Sequence, residues 1–240
     1  MSAISPPSES KARRVRRTQE IAKASPREAR QQAMTDARRS LILGAARAAF
    51  FELGLEGTSI RAIAQRAGYA PGAIYSYFSS KEEVYGALLA ESLQRLHDRV
   101  ARARALCEGD GAQRLRAVSK AFLSFYEENP RELDLGFYLF NGARPRGLTP
   151  ALNATLNQRL AEALRPAQEA LEELGLSREA SLAEVTAVFA HSVGLLILSH
   201  TGRIRMFKQA PQSLFDAYLE QLLARIFASR RALDVGSGPG

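Results

Sequence analysis

The sequence has very little cysteine and histidine, and it contains no tryptophan. Its 240 residues include one cysteine, Cys107, and three histidines. A single thiol cannot form an internal disulfide or a cluster of thiolate ligands. His191 and His200 are nine residues apart, so on one helix they project about 180° apart and cannot share a metal ion. No phosphate-binding or dinucleotide-binding glycine motif is present. The sequence therefore predicts no cofactor and no metal site, and it does not favour an enzyme.

The sequence also lacks a long uninterrupted apolar segment. The best candidate, residues 193–198, is far shorter than the roughly 18 residues that suggest a membrane span. The N-terminus is polar and rich in arginine, and it has no apolar core of the kind found in signal peptides. Together with the scarcity of cysteine, these absences predict a cytoplasmic protein that does not enter a membrane.

Positive charge is in excess, and it is concentrated at one end. The net charge is +8, of which residues 1–34 carry +5. Residues 1–24 contain no aromatic side chain and few aliphatic ones, so they cannot bury a core. We therefore predict a flexible basic arm over residues 1–34, which either contacts DNA phosphates or only solubilises the chain. Within it, Ser25, Pro26 and Glu28 also match the start of a helix.

The rest of the chain has the apolar periodicity of helices. Between residues 35 and 53, apolar side chains recur at intervals of three and four positions. Glycine and proline residues separate this helix from the ones that follow. No run of alternating β-branched residues indicates a strand. The sequence therefore predicts an all-α fold, with further helices at about 59–67, 71–77, 79–107, 113–128, 131–141, 150–174, 178–201 and 212–229.

Residues 59–78 form the most informative segment, with the sequence SIRAIAQRAGYAPGAIYSYF. The segment predicts two short helices joined by a tight turn at Gly68. The first helix buries Ile63, and the second keeps Ile74 and Phe78 for the core. The remaining positions of the second helix are small or carry hydroxyl groups, and they face outward. This arrangement is typical of a helix-turn-helix motif, in which the second helix enters the major groove of DNA.

The segment resembles the DNA-binding domain of TetR/AcrR-type transcriptional regulators. The resemblance extends from the first helix through SIRAIAQRAG and GAIYSYF to SKEE, over about residues 36–95. It implies an N-terminal helix-turn-helix domain at residues 35–95 and a C-terminal helical domain at residues 96–232, with a flexible tail at 233–240. It also implies a homodimer that binds a palindromic DNA operator, acts as a repressor and is released by a small-molecule effector.

The resemblance further implies a set of residues that contact DNA. Ser59 and Arg61 stand where family members touch phosphate and sometimes a base, and Lys81 matches the lysine that opens the next long helix. One position departs from the family, because Ala70 stands where many members have a serine or threonine cap. Pro71 can compensate through its preset φ angle. The complete set is Ser59, Arg61, Ala70, Pro71, Gly72, Ala73, Tyr75, Ser76, Tyr77 and Lys81.

The C-terminal part offers a candidate effector pocket and a candidate subunit interface. Aromatic residues cluster on two successive helices, and apolar cavities between helices are common ligand sites. The predicted pocket residues are Phe122, Phe125, Tyr126, Phe137, Tyr138, Phe140, His191 and Ser192. The helices at 182–201 and 212–229 carry broad apolar faces. These faces fit a four-helix interface between two subunits, or else they belong to an internal core.

Two other functions remain compatible with the sequence. An architectural DNA-binding protein that takes no effector would keep the helix-turn-helix motif but would show weak sequence preference and no internal cavity. A helical enzyme would use the same segment only for packing, and it would need a catalytic cluster, which the sequence does not contain.

Overall fold

The computed structural model describes residues 25–137 and 148–236, and within these ranges it is helical and contains no strand. The predicted all-α fold is confirmed. The chain divides into two compact units, the first extending to Leu53 and including Gly57–Ser80, the second formed by Gly54–Glu56 and the residues from Lys81 onward. The helices are α1 (Pro26–Gly57), α2 (Ile60–Ala67), α3 (Pro71–Tyr75), α4 (Lys81–Leu106), α5 (Gly111–Glu128), α6 (Pro130–Phe137), α7 (Pro150–Glu173), α8 (Arg178–His200), a 3-10 helix (Arg203–Phe207) and α9 (Pro211–Gly236).

Helix α1 begins inside the segment that was predicted to be a flexible arm. The Ser25 hydroxyl accepts a hydrogen bond from the backbone N–H of Glu28 at 3.3 Å, and the Glu28 carboxylate accepts one from the Ser25 N–H at 2.7 Å. This reciprocal capping box satisfies two backbone donors that the first turn would otherwise leave unpaired. The prediction of a flexible arm over residues 1–34 is therefore wrong for residues 26–34, which are helical. Residues 1–24 lie outside the described residues.

The first unit is built on the apolar stripe of α1. Ile42, Ala46, Ala49 and Phe50 are all buried, as the three- and four-residue spacing predicts. Thr58, at the end of this helix, is also buried, and its hydroxyl donates a hydrogen bond to the carbonyl of Ala49 at 3.2 Å. The stripe and the buried threonine fix the end of α1 and the start of the segment that leads into α2.

In the second unit, α4 packs against both α5 and α7, and α8 packs against α7 and α9. Helices α4 and α7 approach each other closely at Gly86, where an added Cβ would lie 2.6 Å from a methyl group of Leu152. A side chain at this position would require the side chain of Leu152 to move. The domain boundary predicted at residues 95/96 falls inside α4, which is continuous through it, whereas the first compact unit ends at Ser80.

The apolar residues of α9 belong to the core of a single chain. Phe215, Leu219, Leu222 and Leu223 are each at most 2% exposed. Of the two interpretations of this face, the internal core is therefore confirmed, and these side chains are not available to a second subunit. Helix α9 also continues to Gly236, so the predicted flexible tail is wrong for residues 233–236. Residues 237–240 lie outside the described residues.

Helix α8 is long and apolar enough to cross a membrane, by length and composition only. A search for uninterrupted apolar runs misses it, because polar residues such as Glu184 and His191 interrupt the sequence. A core helix can meet the same criterion, and Val185, Val188 and Leu195 of α8 are buried in the second unit. Packing accounts for the apolar character of that side of the helix.

Candidate nucleic-acid interface and internal cavities

The first helix of the motif, α2, is fixed at both ends. The hydroxyl of Ser59 accepts a hydrogen bond from the N–H of Ala62 at 3.1 Å. At the other end Gly68 has a φ angle of +71°, and the N–H of Tyr69 donates to the carbonyl of Ala64 at 2.9 Å. Glycine adopts this left-handed conformation without the steric cost that other residues pay. The turn at Gly68 therefore sets the direction in which the chain enters α3.

Helix α3 begins without a side-chain cap. Ala70 has an extended backbone and makes no capping hydrogen bond, and Pro71 follows it in the first turn. The fixed φ angle of proline suits this position and costs no hydrogen bond. Ile74 and Phe78 are 0% and 2% exposed. The orientation of α3 therefore depends on these buried side chains and on Pro71, and not on a polar cap.

The outward face of α3 is small at its start and carries hydroxyl groups at its end. At Gly72 an added Cβ would meet no atom within 4 Å. Tyr75 is 58% exposed. Small residues allow close approach to a groove, and hydroxyl groups can bind phosphates or base edges. Of the predicted DNA-binding residues in the first unit, the half-buried ones are Ala73 and Tyr77, and the exposed ones are Ser59, Arg61, Ala70, Pro71, Gly72, Tyr75 and Ser76.

The two predicted DNA-binding cations have different surroundings. Arg61 is exposed, and no hydrogen bond or ion pair occupies it within the described part of the chain. Lys81, the first residue of α4, is half-buried, and its Nζ donates to the carbonyl of Glu56 at 3.4 Å. Arg61 is therefore available to an anion as it stands, whereas an anion at Lys81 would compete with an existing contact.

Arg39 of α1 contributes to the motif in a way that the sequence does not indicate. Its guanidinium carbon lies 4.9 Å from the centre of the Phe78 ring, within the range of a cation–π interaction. The contact braces the residue that ends the motif from the side of α1. The apolar periodicity identifies Phe78 as a core residue, but nothing in the sequence pattern links it to this arginine.

Two small internal cavities lie near several of the predicted pocket residues in the second unit. One has a volume of about 10 Å³, and its lining includes Phe122, Ser192 and Ser119. The hydroxyl of Ser119 is buried and has no hydrogen-bond partner among the residues that the structure describes. The other has a volume of about 60 Å³ and is lined in part by Tyr126 and Asn157. Such volumes hold only a few water molecules. No charged side chain among the described residues lines either cavity.

The other predicted pocket residues are distributed more widely. The rings of Phe122 and Phe125 pack edge-to-face on Tyr126, with centroid distances of 5.3 and 5.1 Å. Burial raises the pKa of Tyr126, which stays protonated. His191 stacks on Tyr218 of α9 at 4.1 Å, so its ring belongs to the α8–α9 contact, and burial lowers its pKa. The side chain of Phe137 and residues Tyr138 and Phe140 lie outside the described residues.

A larger cleft of about 300 Å³ is lined by residues of α5, α6, α8 and α9. Glu127 lines it and accepts a hydrogen bond from Gln212 at 2.8 Å. His200 also lines it, and its Nε2 lies 3.2 Å from the carboxylate of Asp134. Burial raises the pKa of both Glu127 and Asp134. The cleft and its edge therefore combine two carboxyl groups with one histidine, and we call this feature the acidic cleft.

The described residues contain no group of three or more histidine, cysteine, aspartate or glutamate side chains that could hold a metal ion. A further groove, about 530 Å³ in volume, is an open surface feature between α4, α5 and α9. Two of its cations are already paired, Arg99 with Glu128 and Lys120 with Asp216. These two cations are therefore not free to bind an anionic ligand in the groove.

Comparison with known proteins identifies both parts of the chain. The family model described as bacterial regulatory proteins, tetR family, matches residues 42–88. A second model, described as tetracyclin repressor-like, C-terminal domain, matches residues 115–222. The first match contains the motif at residues 59–78, and the second spans most of the helices that surround the cavities. Together the two matches cover nearly two thirds of the chain.

Curated relatives resemble the chain over a shorter range. The HTH-type transcriptional activator FasR from Mycolicibacterium smegmatis is 36% identical over 102 residues, which is 42% of this chain and 46% of FasR. The HTH-type transcriptional regulator TtgR from Pseudomonas putida is 38% identical over 90 residues, which is 38% of this chain and 41% of TtgR. The matched segments thus span less than half the length of these relatives.

Solved structures share the fold over most of their length. A transcriptional regulator from Pseudomonas aeruginosa PAO1 superposes with a TM-score of 0.63 at 20% identity, and the match covers 85% of this chain and 94% of that one. The regulator FadR from Bacillus subtilis, solved in complex with stearoyl-CoA, gives a TM-score of 0.59 at 20% identity, covering 76% of this chain and 96% of FadR. At this identity the likeness shows the fold alone.

Proposed function

The chain is a TetR-family DNA-binding transcriptional regulator, and on that premise we propose that it is a repressor that binds a palindromic operator as a homodimer. A small molecule in the second unit would release it from the operator. The observation that carries the proposal is the two-sided character of α3. Ile74 and Phe78 hold the helix from inside, while Tyr75 and Ser76 are exposed. A short helix held in this way can enter the major groove.

The second helix of the motif can read only one half of a palindrome. A helix-turn-helix dimer places two such helices in successive major grooves, roughly 34 Å apart, and one chain has a single copy of the motif. A second copy of the chain would supply the other helix. Direct readout would rest on Arg61, Tyr75, Ser76 and Tyr77. Because these polar groups are few, sequence-dependent DNA shape would contribute to the choice of operator.

The outer surface of α8 supports a subunit interface. The side of this helix that faces away from the core carries small exposed residues at intervals of four, three and four positions, at Ala183, Ala187, Ala190 and Gly194. An added Cβ at Gly194 would meet no atom within 4 Å. A row of small side chains without charge allows a second helix to pack closely.

The outer surface of α9 repeats the pattern with three alanines and one uncharged glutamine. Its exposed residues at the same intervals are Ala217, Gln221, Ala224 and Ala228, and they lie on the face opposite to the buried Leu219 and Leu222. We refer to the rows on α8 and α9 together as the small-residue stripes. Paired stripes from two subunits would form a four-helix interface, and this replaces the buried leucines of α9 as the proposed contact.

The two internal cavities support an effector that carries little or no charge. Their lining is aliphatic and aromatic, and its polar groups are hydroxyl and amide groups such as those of Ser119 and Asn157. A charged effector buried there would have no counter-ion. Because the cavities are too small for a typical ligand, an effector would have to separate the helices around them. Such a separation would link effector binding to a change in the subunit.

Selection of bound sequences from a random DNA pool tests the proposed operator. Enrichment of a palindrome with half-sites about one helical turn apart would support the homodimer. Flat enrichment would contradict it and favour the architectural DNA-binding protein. A reporter placed behind the enriched sequence then measures the sign of regulation. Lower expression in the presence of the protein is expected, and higher expression would mean that the chain resembles FasR, which is named an activator.

Substitution of Gly194 tests the proposed interface. Gly194→Arg places a long cation on the α8 stripe and also removes a helix-weakening glycine, so the fold should be retained. We expect a folded monomer by analytical ultracentrifugation. Ala161→Arg, at an exposed position of α7, is the matched control and should leave the dimer intact. A Gly194→Arg dimer as stable as the control would refute the stripes as the interface.

A further inference from the structure

The segment between α8 and α9 presents two large apolar side chains to solvent. Met206 is 77% exposed and Phe207 is 63% exposed, whereas Ile204, two residues before Met206, is only 5% exposed. Ile204 therefore anchors the 3-10 helix to the second unit while its neighbours project away from it. We call residues 203–208 the knob. Exposed apolar side chains that lie together mark a candidate interaction site.

The backbone at the end of the knob holds this projection. Lys208 has a φ angle of +52°, and it is the single non-glycine residue with a positive φ among the described residues. Its N–H donates a hydrogen bond to the carbonyl of Arg205 at 3.1 Å. A lysine in the left-handed region is strained compared with a glycine. The strained residue thus lies directly after the two exposed side chains, at the end of the 3-10 helix.

The knob is also strongly basic. Arg203, Arg205 and Lys208 are exposed, and within the described part of the chain none of the three has an ion-pair partner. The segment contains no acidic residue. A surface that combines two apolar side chains with three unpaired cations fits an apolar recess with acidic groups at its edge.

We infer that the knob docks on a second copy of this chain, with Met206 and Phe207 seated in the partner's acidic cleft. The cleft has a volume of about 300 Å³, which accommodates two large side chains. Leu133 and Leu196 supply apolar lining. This inference rests on the proposed homodimer. By two-fold symmetry each subunit would place its knob in the other, so that the contact occurs twice.

Two features favour a second copy over another occupant. The knob connects α8 directly to α9, so it is continuous with the small-residue stripes proposed as the subunit interface. Charge is complementary as well, because the carboxyl group of Glu127 lines the cleft, while every charged residue of the knob is a cation. An anionic membrane would match the charge of the knob but would leave the acidic cleft unexplained.

Docking of the knob would connect the two subunits to the effector cavities. Tyr126 lines both the acidic cleft and the cavity of about 60 Å³. Only the ring of Tyr126 would therefore separate a partner side chain in the cleft from that cavity. Seating or withdrawing the knob would change the support of Tyr126, so each subunit would sense the effector cavity of the other.

Photo-crosslinking tests where the knob lies. Met206 is replaced by benzoylphenylalanine, and chains with natural and heavy nitrogen isotopes are mixed to form dimers before irradiation. We expect crosslinks between light and heavy chains that join position 206 to peptides containing residues 126–133 or 196–200. The same probe at Ala161 on α7 is the control. Crosslinks confined to one chain, or inter-chain crosslinks to other peptides, would overturn the inference.

Dimer affinity provides a second measurement. Met206→Ser combined with Phe207→Ser should raise the dimer dissociation constant by at least about tenfold, because the two side chains lose their apolar site. Leu106→Ser, at a residue that is 76% exposed on α4, is the matched control and should have no effect. An unchanged dissociation constant in the double variant would count against the knob.

The outcomes separate this inference from the proposed dimer. If Gly194→Arg also leaves the dimer intact, the interface of α8 and α9 itself is wrong. If Gly194→Arg gives monomers but the double serine variant and the crosslinks show no contact, only the docking of the knob in the partner's cleft is refuted. Co-sedimentation with phosphatidylglycerol vesicles is the last measurement. Vesicle binding by the wild-type chain that is absent in the double variant would assign the knob to a membrane and overturn the inference.

Discussion

Two adjacent residues of α3, Ile74 and Tyr75, allow the geometry of the motif to be tested with matched substitutions. Ile74 is 0% exposed and Tyr75 is 58% exposed. In a helix that enters the major groove, the first side chain holds the helix and the second reaches the DNA. Alanine at each position, in separate variants, should therefore separate the stability of the fold from the affinity for the operator.

The two substitutions should affect different quantities, the free energy of unfolding for Ile74→Ala and the affinity for the operator for Tyr75→Ala. Ile74→Ala removes a fully buried aliphatic group and leaves a cavity, which lowers the free energy of unfolding by about 2–5 kcal/mol. Because α3 has five residues and can shift to fill part of the cavity, we expect the lower part of this range. Tyr75→Ala removes an exposed side chain and should change stability by no more than about 0.5 kcal/mol. It should weaken operator binding by about 1–3 kcal/mol, or roughly 5- to 150-fold in dissociation constant.

Urea unfolding followed by circular dichroism measures the first quantity, since the chain has no tryptophan for fluorescence. Fluorescence anisotropy with a labelled operator, at one fixed salt concentration, measures the second. If Tyr75→Ala folds and binds the operator as tightly as the wild-type chain, α3 does not read DNA through this face. If Ile74→Ala is as stable as the wild-type chain, the packing of the motif is wrong.

Three further substitutions or truncations probe other features. Ser59→Ala should lower the free energy of unfolding by about 1 kcal/mol because α2 loses its cap, and an unchanged urea midpoint would contradict this. The pKa of His191 is lowered from 6.5 by burial, so the unfolded chain binds protons more readily and stability should fall as the pH drops below about 6.5. His191→Phe should reduce that loss between pH 8 and pH 5. Deletion of residues 1–24 should make DNA affinity less dependent on salt. The slope of log affinity against log salt concentration should fall by up to about 0.9 for each phosphate that the arm neutralises in the intact protein, and sequence preference should be retained. An identical slope would mean that the segment is a passive tail.

The apolar periodicity of the sequence was sufficient to predict the elements of the motif. Buried positions such as Ile42 and Ile74 follow from spacing, and the turn at Gly68 follows from the need for a left-handed residue after α2. The start of α1 was harder to predict, because charge composition indicated an arm while Ser25 and Glu28 indicated a helix cap. Local hydrogen bonds at the cap determine where α1 begins. The charge composition averaged over residues 1–34 does not reveal them.

The sequence could not determine which neighbour covers an apolar face. Periodicity shows that Leu219 and Leu222 share one side of α9, but a core and a subunit interface produce the same spacing. The structure resolves this by burying both residues within one chain. The contact of Arg39 with Phe78 and the volumes of the cavities depend on how distant helices pack, and no local pattern reports such packing.

Under the proposed release by an effector, helix α4 is the element that links the two cavities to the motif along the chain. Leu89 and Leu93 line the cavity of about 60 Å³, and Val100 lines the cavity of about 10 Å³. Lys81, a predicted phosphate contact, is the first residue of the same continuous helix and follows the last residue of the first unit. An effector that widens either cavity would therefore displace residues of the helix that begins at Lys81. A tenfold loss of operator affinity requires the effector to favour the displaced arrangement by about 1.4 kcal/mol. An effector that bound both arrangements equally would leave the operator occupied, however tightly it bound.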